Sequence, residues 1–472
     1  MVFGSEVTAV LAHPHVRARP ELVTVSAYLT TIRTTLGSRT MFEGVRTVMA
    51  GEWIEFELDG GRIVERHGRI GRGSGGAGVG GRAAHHAAVR EGAAGAIEAV
   101  REVVRESVRV HLRSDVPWCG LLSGGLDSTI VCAEARRHVG RLSTYAAGAR
   151  AELQDAAGGD MVLRPGARRA ELSPDFAFAR LAAERLGTTH TECLVTPEMF
   201  RQRWEWMVGR LGVPLSTPNE VAIHEVAACL RRAGNVVALS GEGADELFGG
   251  YDQLLGAAAR WVDGGGVAAE GGLRALDAAA WVPRGAKGGF LRPVVWQAVE
   301  EDAGLVETYR DEYAECVEEA QGDGWRGGER LMQAFLRMQR RVNLVGLLGR
   351  LDGATMLAGV EGRTPFADVR VMGLAEGLEM AMKFVGGQTR AAPQSQAASL
   401  CHQTKIALRR AFEGVVPAEI VGRAKASFPL PFQEWMVDSA DVVGGSGLVA
   451  VSYTHLRAHE TKANLVCRLL LE

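Results

Sequence analysis

Apolar residues recur with a helical period in one part of the chain and in short runs in another. Within 85–114, Val100, Val104 and Val108 lie four residues apart, on one face of a predicted amphipathic helix. From about residue 116 to residue 251, short apolar runs alternate with helical patterns. This alternation predicts an α/β fold with a parallel sheet and helices on both faces.

The α/β region contains four predicted strands and four predicted helices. The strands cover 116–122, 142–147, 191–195 and 235–240, and the helices cover 129–138, 175–186, 197–210 and 219–232. Beyond Tyr251 the strand pattern fades and helical patterns continue to about Met436, while 151–172 and 386–402 are predicted loops. Ligands of an open parallel sheet bind at the carboxyl ends of its strands, so we expect the functional site there.

The first 70 residues form a different pattern, that of a small α+β piece. A helical pattern covers 20–34, and in a strand at 52–58 the residues Ile54, Phe56 and Leu58 are expected to share a buried face. A glycine-rich run then predicts a flexible linker. The predicted organisation is therefore a domain at 1–70, a linker at 71–84 and a domain at 85–440.

Composition and charge exclude several classes of protein. A chain of 472 residues with 47% hydrophobic and 23% charged residues is typical of a globular enzyme of more than one domain. The net charge of −3 provides no overall attraction for nucleic acid or membrane, so we expect neither as a partner. The seven cysteines lack metal-binding spacing and are expected to be reduced and mostly buried. The first residues lack the pattern of a secretory signal, which favours a cytoplasmic location.

A glycine-rich segment, SGGLDS at 123–128, lies between a predicted strand and a predicted helix. The amide groups and dipole of a helix start favour an anion, and glycines let the backbone approach a pyrophosphate closely. Asp127 can hold a Mg²⁺ ion that bridges phosphate oxygens. The other candidate pyrophosphate-binding residues of this segment are Ser123, Gly124, Gly125 and Ser128. The lysine of a Walker A loop is absent, which disfavours transfer of the γ-phosphate.

Four segments resemble, in order, the signatures of the asparagine synthetase family. They are GLLSGGLDSTIVCAE at 120–134, LSGEGADELFGGY at 239–251, VEGRTPFAD at 360–368 and RAKASF at 423–428. The resemblance covers roughly residues 90 to 440. It implies an adenine nucleotide α-hydrolase-like synthetase domain with a helical carboxyl-terminal part. It also implies an AMP- and pyrophosphate-forming ligase, related to β-lactam synthetases, with ATP and Mg²⁺ as cofactors.

The resemblance assigns roles to individual residues. It implies nucleotide contacts at Leu121, Ala147, Ser240 and Gly241. Asp127 and Asp245 both follow predicted strands in glycine-rich loops and are the candidate Mg²⁺ ligands. Lys425 would place a positive charge on the transferring phosphate and the developing oxyanion. Glu361 is the candidate base that accepts a proton from the attacking amine.

Both ends of the chain differ from the family pattern. Residues 1–70 resemble the closing part of the family's N-terminal-nucleophile glutaminase domain, whose catalytic cysteine follows the initiator methionine. The sequence begins Met1-Val2-Phe3, so we expect a truncated remnant that uses free ammonia in place of glutamine. Residues 451–472 fit no family pattern and are expected to be a non-native tail.

Three functions remain open. The first is synthesis of asparagine from aspartate or of an amide from a similar carboxylate, with ammonia or glutamine as the nitrogen source. The second is closure of a β-lactam or a peptide macrolactam by the same activation, and the third is an inactive nucleotide-binding scaffold. The expected partners are these small-molecule substrates, with a homodimer as the assembly considered.

Overall fold

The computed structural model of the chain describes residues 1–59, 62–69, 92–153, 169–172, 174–289, 291–385, 404–423 and 435. The predicted linker at 71–84 and the predicted tail at 451–472 lie outside these residues. Within the described part, contacts divide the chain into two compact units. The helical unit contains the described residues of 1–103, 246–346 and 368–386, and the sheet unit contains those of 104–245, 347–367 and 387–472. This division does not test the predicted domain boundaries, which stay predictions.

The described strands form one five-stranded sheet and two hairpins. In chain order they are β1 (Glu52–Asp59), β2 (Arg62–Arg69), β3 (Trp118–Leu121), β4 (Ser143–Gly148), β5 (Arg150–Leu153), β6 (Arg169–Leu172), β7 (Thr189–Leu194), β8 (Val237–Leu239) and β9 (Glu361–Arg363). The sheet has the order β7-β4-β3-β8-β9, and each neighbouring pair is parallel. The predicted α/β class with a parallel sheet is therefore confirmed.

Helices of the sheet unit alternate with its strands. They cover Leu126–Arg136, Pro174–Leu186, Pro197–Leu211, Asn219–Arg232, Ile406–Ala411 and Ala418–Val421. The helix Asn219–Arg232 illustrates why the sequence pattern predicted these helices. Its apolar residues Val221, Val226 and Leu230 are buried. Arg231 and Arg232 lie in its last turn, where cations interact favourably with the helix dipole.

The helical unit consists mainly of α-helices, as the pattern beyond residue 251 predicts. These helices cover Val7–Leu11, Leu22–Thr31, Asp252–Asp263, Ala268–Ala278, Pro293–Ala298, Ala303–Gly322, Gly327–Met338, Val369–Gly377 and Met380–Lys383. Three helices begin in one unit and end in the other: Ala93–His111, Ala244–Phe248 and Val345–Met356. Among the residues that the structure describes, no helix is long and apolar enough to cross a bilayer.

Several strands were not predicted. β5 and β6 lie within or beside the predicted loop 151–172, and β9 lies far beyond residue 251. β9 has three residues, too few for a period, and joins the edge of the sheet through backbone pairing with β8. The Ser240 amide continues that pairing by donating to the Arg363 carbonyl at 2.8 Å. Backbone pairing of this kind leaves no signal in side-chain patterning.

The amino-terminal hairpin corrects a second expectation. β1 pairs antiparallel with β2, yet Phe56 is 40% exposed and Trp53 is 45% exposed, so the expected buried face is wrong at Phe56. An alternating pattern predicts which side chains share a face of a strand, but not whether another layer covers that face. The described cysteines agree with expectation, since Cys119, Cys132, Cys193 and Cys316 are buried free thiols and Cys229 is a half-buried one.

Candidate functional site

The SGGLDS segment forms a tight turn between β3 and the helix Leu126–Arg136. Gly124 has a φ of +70°, and Gly125 is the extended residue that precedes the helix. The Ser123 and Ser128 hydroxyl oxygens lie 3.0 Å apart, and the Ser128 hydroxyl donates to the Gly125 carbonyl at 3.2 Å. The structure thus brings the predicted pyrophosphate-binding residues together at the start of a helix, where backbone amides and the dipole favour an anion.

Two glycines allow close approaches that any side chain would block. A Cβ atom at Gly124 would lie 2.3 Å from the Phe178 carbonyl carbon and 2.4 Å from the Ala179 nitrogen. A Cβ atom at Gly241 would lie 2.6 Å from the Ser128 nitrogen. The loop after β8 therefore packs directly on the loop after β3, so that the first two sequence signatures meet.

The two candidate Mg²⁺ ligands converge on a residue that the sequence did not indicate. Lys405 Nζ lies 2.6 Å from Asp127 Oδ2 and 2.6 Å from Asp245 Oδ1. The lysine side chain is 7% exposed and each carboxylate is 20% exposed. Burial alone would lower the pKa of Lys405, but Asp127 and Asp245 outweigh it, so that this pKa is raised and the ammonium stays charged.

The donor set of these residues fits a metal ion shared with a phosphate. Mg²⁺ is commonly bound through one or two carboxylates together with substrate phosphates and water, and Asp127 and Asp245 supply two carboxylates at one point. Within the described ranges, no group of three or more His, Cys, Asp or Glu side chains could hold a metal. The described residues therefore suit a Mg²⁺ ion that arrives with a nucleotide.

The other predicted nucleotide contacts lie at the carboxyl-terminal edge of the sheet. Leu121 ends β3 and is half-buried, Ala147 is buried near the end of β4, and Ser240 is buried directly after β8. Glu242, two residues further, has a 19% exposed side chain and accepts a hydrogen bond from Arg350 Nη2 at 2.8 Å. Its place after a strand in an acidic loop was visible in the sequence, but its pairing with Arg350 was not.

The structure does not bring Glu361 to this edge. Glu361 pairs with Val237 at the amino-terminal end of β8, and its amide donates to the Val236 carbonyl at 2.8 Å. Its side chain is 55% exposed and accepts from Arg363 Nε at 2.7 Å. The hydrogen bond from Arg363 lowers the pKa of the Glu361 carboxyl, which weakens it as a proton acceptor. Its role as the base stays a prediction.

The last predicted residue, Lys425, lies outside the described residues. Arg423, two positions earlier in the same motif, is described and contacts the first loop through the Gly124 carbonyl, at 3.1 Å. Lys405 and Arg423 are thus the cations that sequence reasoning missed at the site. Their contacts with the loop at 123–128 cross almost 300 positions of the chain, so no local pattern could show them.

Comparison with known proteins agrees with these signatures. The profile of the asparagine synthase family matches residues 99–443, which include both glycine-rich loops and the segments of Lys405 and Arg423. The chain belongs to the asparagine synthase family. The family match confirms the resemblance read from the four motifs.

Individual relatives carry the names of asparagine synthetases. A putative glutamine-hydrolysing asparagine synthetase of Mycobacterium tuberculosis is 30% identical over 360 residues, which cover 71% of this chain and 48% of the relative. Glutamine-hydrolysing asparagine synthetase 1 of Bacillus subtilis is 26% identical over 366 residues, covering 72% of this chain and 50% of the relative. The chain thus spans about half the length of these curated relatives.

Proposed function

We propose that this member of the asparagine synthase family is an ATP-dependent amide ligase that activates a carboxylate, with aspartate as the first candidate, and transfers it to ammonia. The observation that carries the proposal is the convergence of Asp127, Asp245 and Lys405 beside two interlocked glycine loops. That arrangement places one fixed ammonium and two carboxylates, which are our candidate metal ligands, next to a helix start. It suits a nucleotide whose pyrophosphate carries several negative charges.

The reaction consists of two displacements. In the first, a carboxylate oxygen of the substrate attacks the α-phosphorus of ATP, and the bond to the pyrophosphate oxygen breaks, which gives an acyl adenylate and pyrophosphate. In the second, ammonia attacks the acyl carbon, AMP leaves, and the nitrogen loses a proton. A poor leaving group on carbon is thereby replaced by AMP, a good one.

The described residues support mainly the first displacement. The loop amides, the Ser123 and Ser128 hydroxyls and the Lys405 ammonium would bind the departing pyrophosphate. A bound Mg²⁺ ion would supply further charge neutralisation there, held by Asp127 and Asp245. Lys425 remains our candidate for charge stabilisation at the transferring phosphate, on the grounds of its motif.

Two glutamates are candidates for proton acceptance in the second displacement. Glu361 is the motif residue, but its carboxylate is exposed and paired with Arg363 at the other edge of the sheet. Glu242 is partly buried and follows Ser240 and Gly241 at the carboxyl-terminal edge. Position therefore supports Glu242 better than Glu361 as the group that contacts the attacking amine.

Separate variants distinguish these two glutamates. The residue that acts as the base should, when changed to glutamine, still allow exchange of labelled pyrophosphate into ATP while amide formation falls by about 10²- to 10⁴-fold. We expect this split for Glu242→Gln and a smaller effect on amide formation for Glu361→Gln. The reverse result would restore Glu361 to the role that its motif implies.

The proposed function itself is tested by pyrophosphate release. The purified chain is incubated with ATP, Mg²⁺ and ammonium, and aspartate is screened against other amino acids and carboxylates. Release that depends on aspartate and yields an amide supports asparagine synthesis. Release that needs no ammonium and depends on a substrate with its own amine would favour lactam formation, and nucleotide binding without release would favour a scaffold. The cytoplasmic location and the homodimer stay predictions.

A further inference from the structure

The peptide bond between Gly124 and Gly125 is held from both sides in the structure. Arg423 Nη1 donates to the Gly124 carbonyl at 3.1 Å, and the Gly125 amide donates to the Ser123 hydroxyl at 3.4 Å. The Arg423 guanidinium lies over the Phe178 ring, 4.1 Å from its centroid. The carbonyl end of this peptide thus depends on a side chain from a distant segment of the same unit.

A peptide between two glycines needs such support more than others do. Rotation of the peptide plane by half a turn changes ψ of the first residue and φ of the second, and glycine adopts both signs of φ with little penalty. Rotation here would move the Gly125 φ from −83° into the positive range. It would also turn the Gly124 carbonyl oxygen toward the Ser123 hydroxyl, to which the Gly125 amide now donates, and so place negative partial charge where the pyrophosphate is proposed to bind.

The chain cannot prevent this rotation with a side chain at the first position. A Cβ atom at Gly124 would overlap the Phe178 and Ala179 backbone, as the 2.3 Å and 2.4 Å approaches show. With glycine at both positions, the orientation of the peptide depends on its hydrogen bonds, and the bond to the Gly124 carbonyl comes from Arg423, outside the loop. Arginine suits that task, because its planar guanidinium can stack on an aromatic ring and donate in its own plane at the same time.

We propose that Arg423 is a positioning residue that holds the Gly124–Gly125 peptide in the orientation that binds pyrophosphate. The inference rests on the proposed function, because it concerns the same loop. It assigns to the first residue of the RAKASF motif a task separate from that of Lys425. Arg423 acts on the backbone of the loop, and the loop in turn binds the phosphate.

A double-mutant cycle tests positioning against a direct charge effect. Gly125 is extended, and of the described part of the chain a Cβ atom there would meet only the Ser123 hydroxyl oxygen, at 3.4 Å, so alanine fits the observed conformation and disfavours the rotated one. We expect Arg423→Met to raise the KM for ATP and for pyrophosphate in the exchange reaction by about 10-fold or more. In the Gly125→Ala background the same change should raise them several-fold less, whatever Gly125→Ala does by itself.

One further measurement and one control variant sharpen the result. The rise in melting temperature on adding ATP with Mg²⁺ reports binding without turnover, and it should shrink in Arg423→Met and recover in part in the double variant. Arg410→Met is the matched control, because Arg410 is an exposed arginine of the helix Ile406–Ala411 in the same segment. It should change neither KM nor the shift in melting temperature.

Failure of this inference and failure of the proposed function give different results. An unchanged KM in Arg423→Met would overturn the inference alone, and so would an equal penalty for that change in both Gly125 backgrounds, which is the signature of a direct charge effect. A wild-type chain that neither exchanges pyrophosphate nor gains stability from ATP would overturn the proposed function, and this inference with it.

Discussion

Lys405 in the sheet unit and Lys383 in the helical unit are both buried, yet their environments differ. As whole residues they are 5% and 1% exposed. Lys405 lies between two carboxylates, each 2.6 Å from its ammonium. Lys383 donates to the neutral amide oxygen of Gln333 at 2.9 Å. The pKa of Lys405 is raised, whereas burial lowers the pKa of Lys383 to about 7.

The contrast shows that burial alone does not decide whether a buried lysine is charged, because charged partners can outweigh its effect on the pKa. At Lys383, burial and the Arg337 cation lower the pKa, and the carboxylates of Glu376 and Glu329 only partly oppose them. Lys383 lines a small recess together with Arg337, Arg340 and Glu376. Glu376 is already paired with Arg340 at 2.6 Å, so the Lys383 ammonium competes with an arginine for that carboxylate.

A third buried lysine shows that a carboxylate partner alone does not mark a functional site. Lys287 Nζ lies 2.7 Å from Asp302 Oδ2 and donates to the Ser26 carbonyl at 2.6 Å, all within the helical unit. Ser26 donates in turn to Asp302 Oδ1, and all three residues are buried. What distinguishes Lys405 is that its carboxylates follow strands at the edge where an open sheet binds ligands.

The largest effect is expected when one of the two carboxylates that contact Lys405 is removed. Asp127→Asn keeps the shape of the turn but removes one charged partner of Lys405 and one candidate metal ligand. We expect Mg²⁺-dependent pyrophosphate release to fall by about 10³-fold, with a circular dichroism spectrum like that of the wild type. Activity within about twofold of the wild type would show that the loop is only a turn.

The second prediction removes the cation in place of the anion. Lys405→Met leaves Asp127 and Asp245 facing one another without their ammonium, and removal of one partner of a buried ion pair is costly. We expect the free energy of unfolding to fall by about 3 kcal/mol in chemical denaturation without metal. Mg²⁺ should then stabilise the variant more than the wild type, because it replaces the lost positive charge. Equal responses to Mg²⁺ would contradict the assignment of these two carboxylates.

Both of these predictions concern contacts that sequence reasoning found only in part. The loop at 123–128 was predicted because an apolar strand, glycines, serines and a helical pattern follow one another locally. Lys405 was not predicted to lie at the site, because 278 positions separate it from Asp127 and only tertiary packing brings the two residues together. Glu361 shows the converse: its motif was recognised, but the edge of the sheet at which it lies depends on the register of β9 against β8.

The third prediction concerns the pH dependence of stability that Lys383 causes. Its pKa is about 7 in the folded state and 10.5 in the reference state, so between these values the unfolded chain binds a proton that the folded chain does not. The contribution of Lys383 to stability therefore rises with pH from about 7 to about 10.5 and is lost as the pH falls through that window. Lys383→Met should lack this rise.

Denaturation at pH 7 and pH 10 measures the difference directly. From pH 7 to pH 10 the free energy of unfolding of the wild type should rise by a few kcal/mol relative to that of the variant, because only the wild type contains the titrating group. A constant difference between variant and wild type across this range would show that Lys383 is charged in the folded state, as Lys405 is.

The smallest effect is expected from giving Lys383 the kind of partner that Lys405 has. Gln333→Glu keeps the oxygen that accepts from Lys383 but replaces the amide nitrogen, which donates to the Leu378 carbonyl at 2.8 Å, so that the group becomes a carboxylate of nearly the same size. At pH 7 the net change in stability should be within about 1 kcal/mol, because the attraction of the new charge to the ammonium offsets the cost of burying it and of losing the donation to Leu378. The rise of stability between pH 7 and pH 10 should nevertheless shrink, since a carboxylate at this distance raises the pKa of Lys383. Gln297→Glu, at an exposed position of the helical unit, is the matched control and should leave the pH dependence unchanged. If Gln333→Glu left it unchanged as well, the different pKa values of the two lysines would have a cause other than their partners.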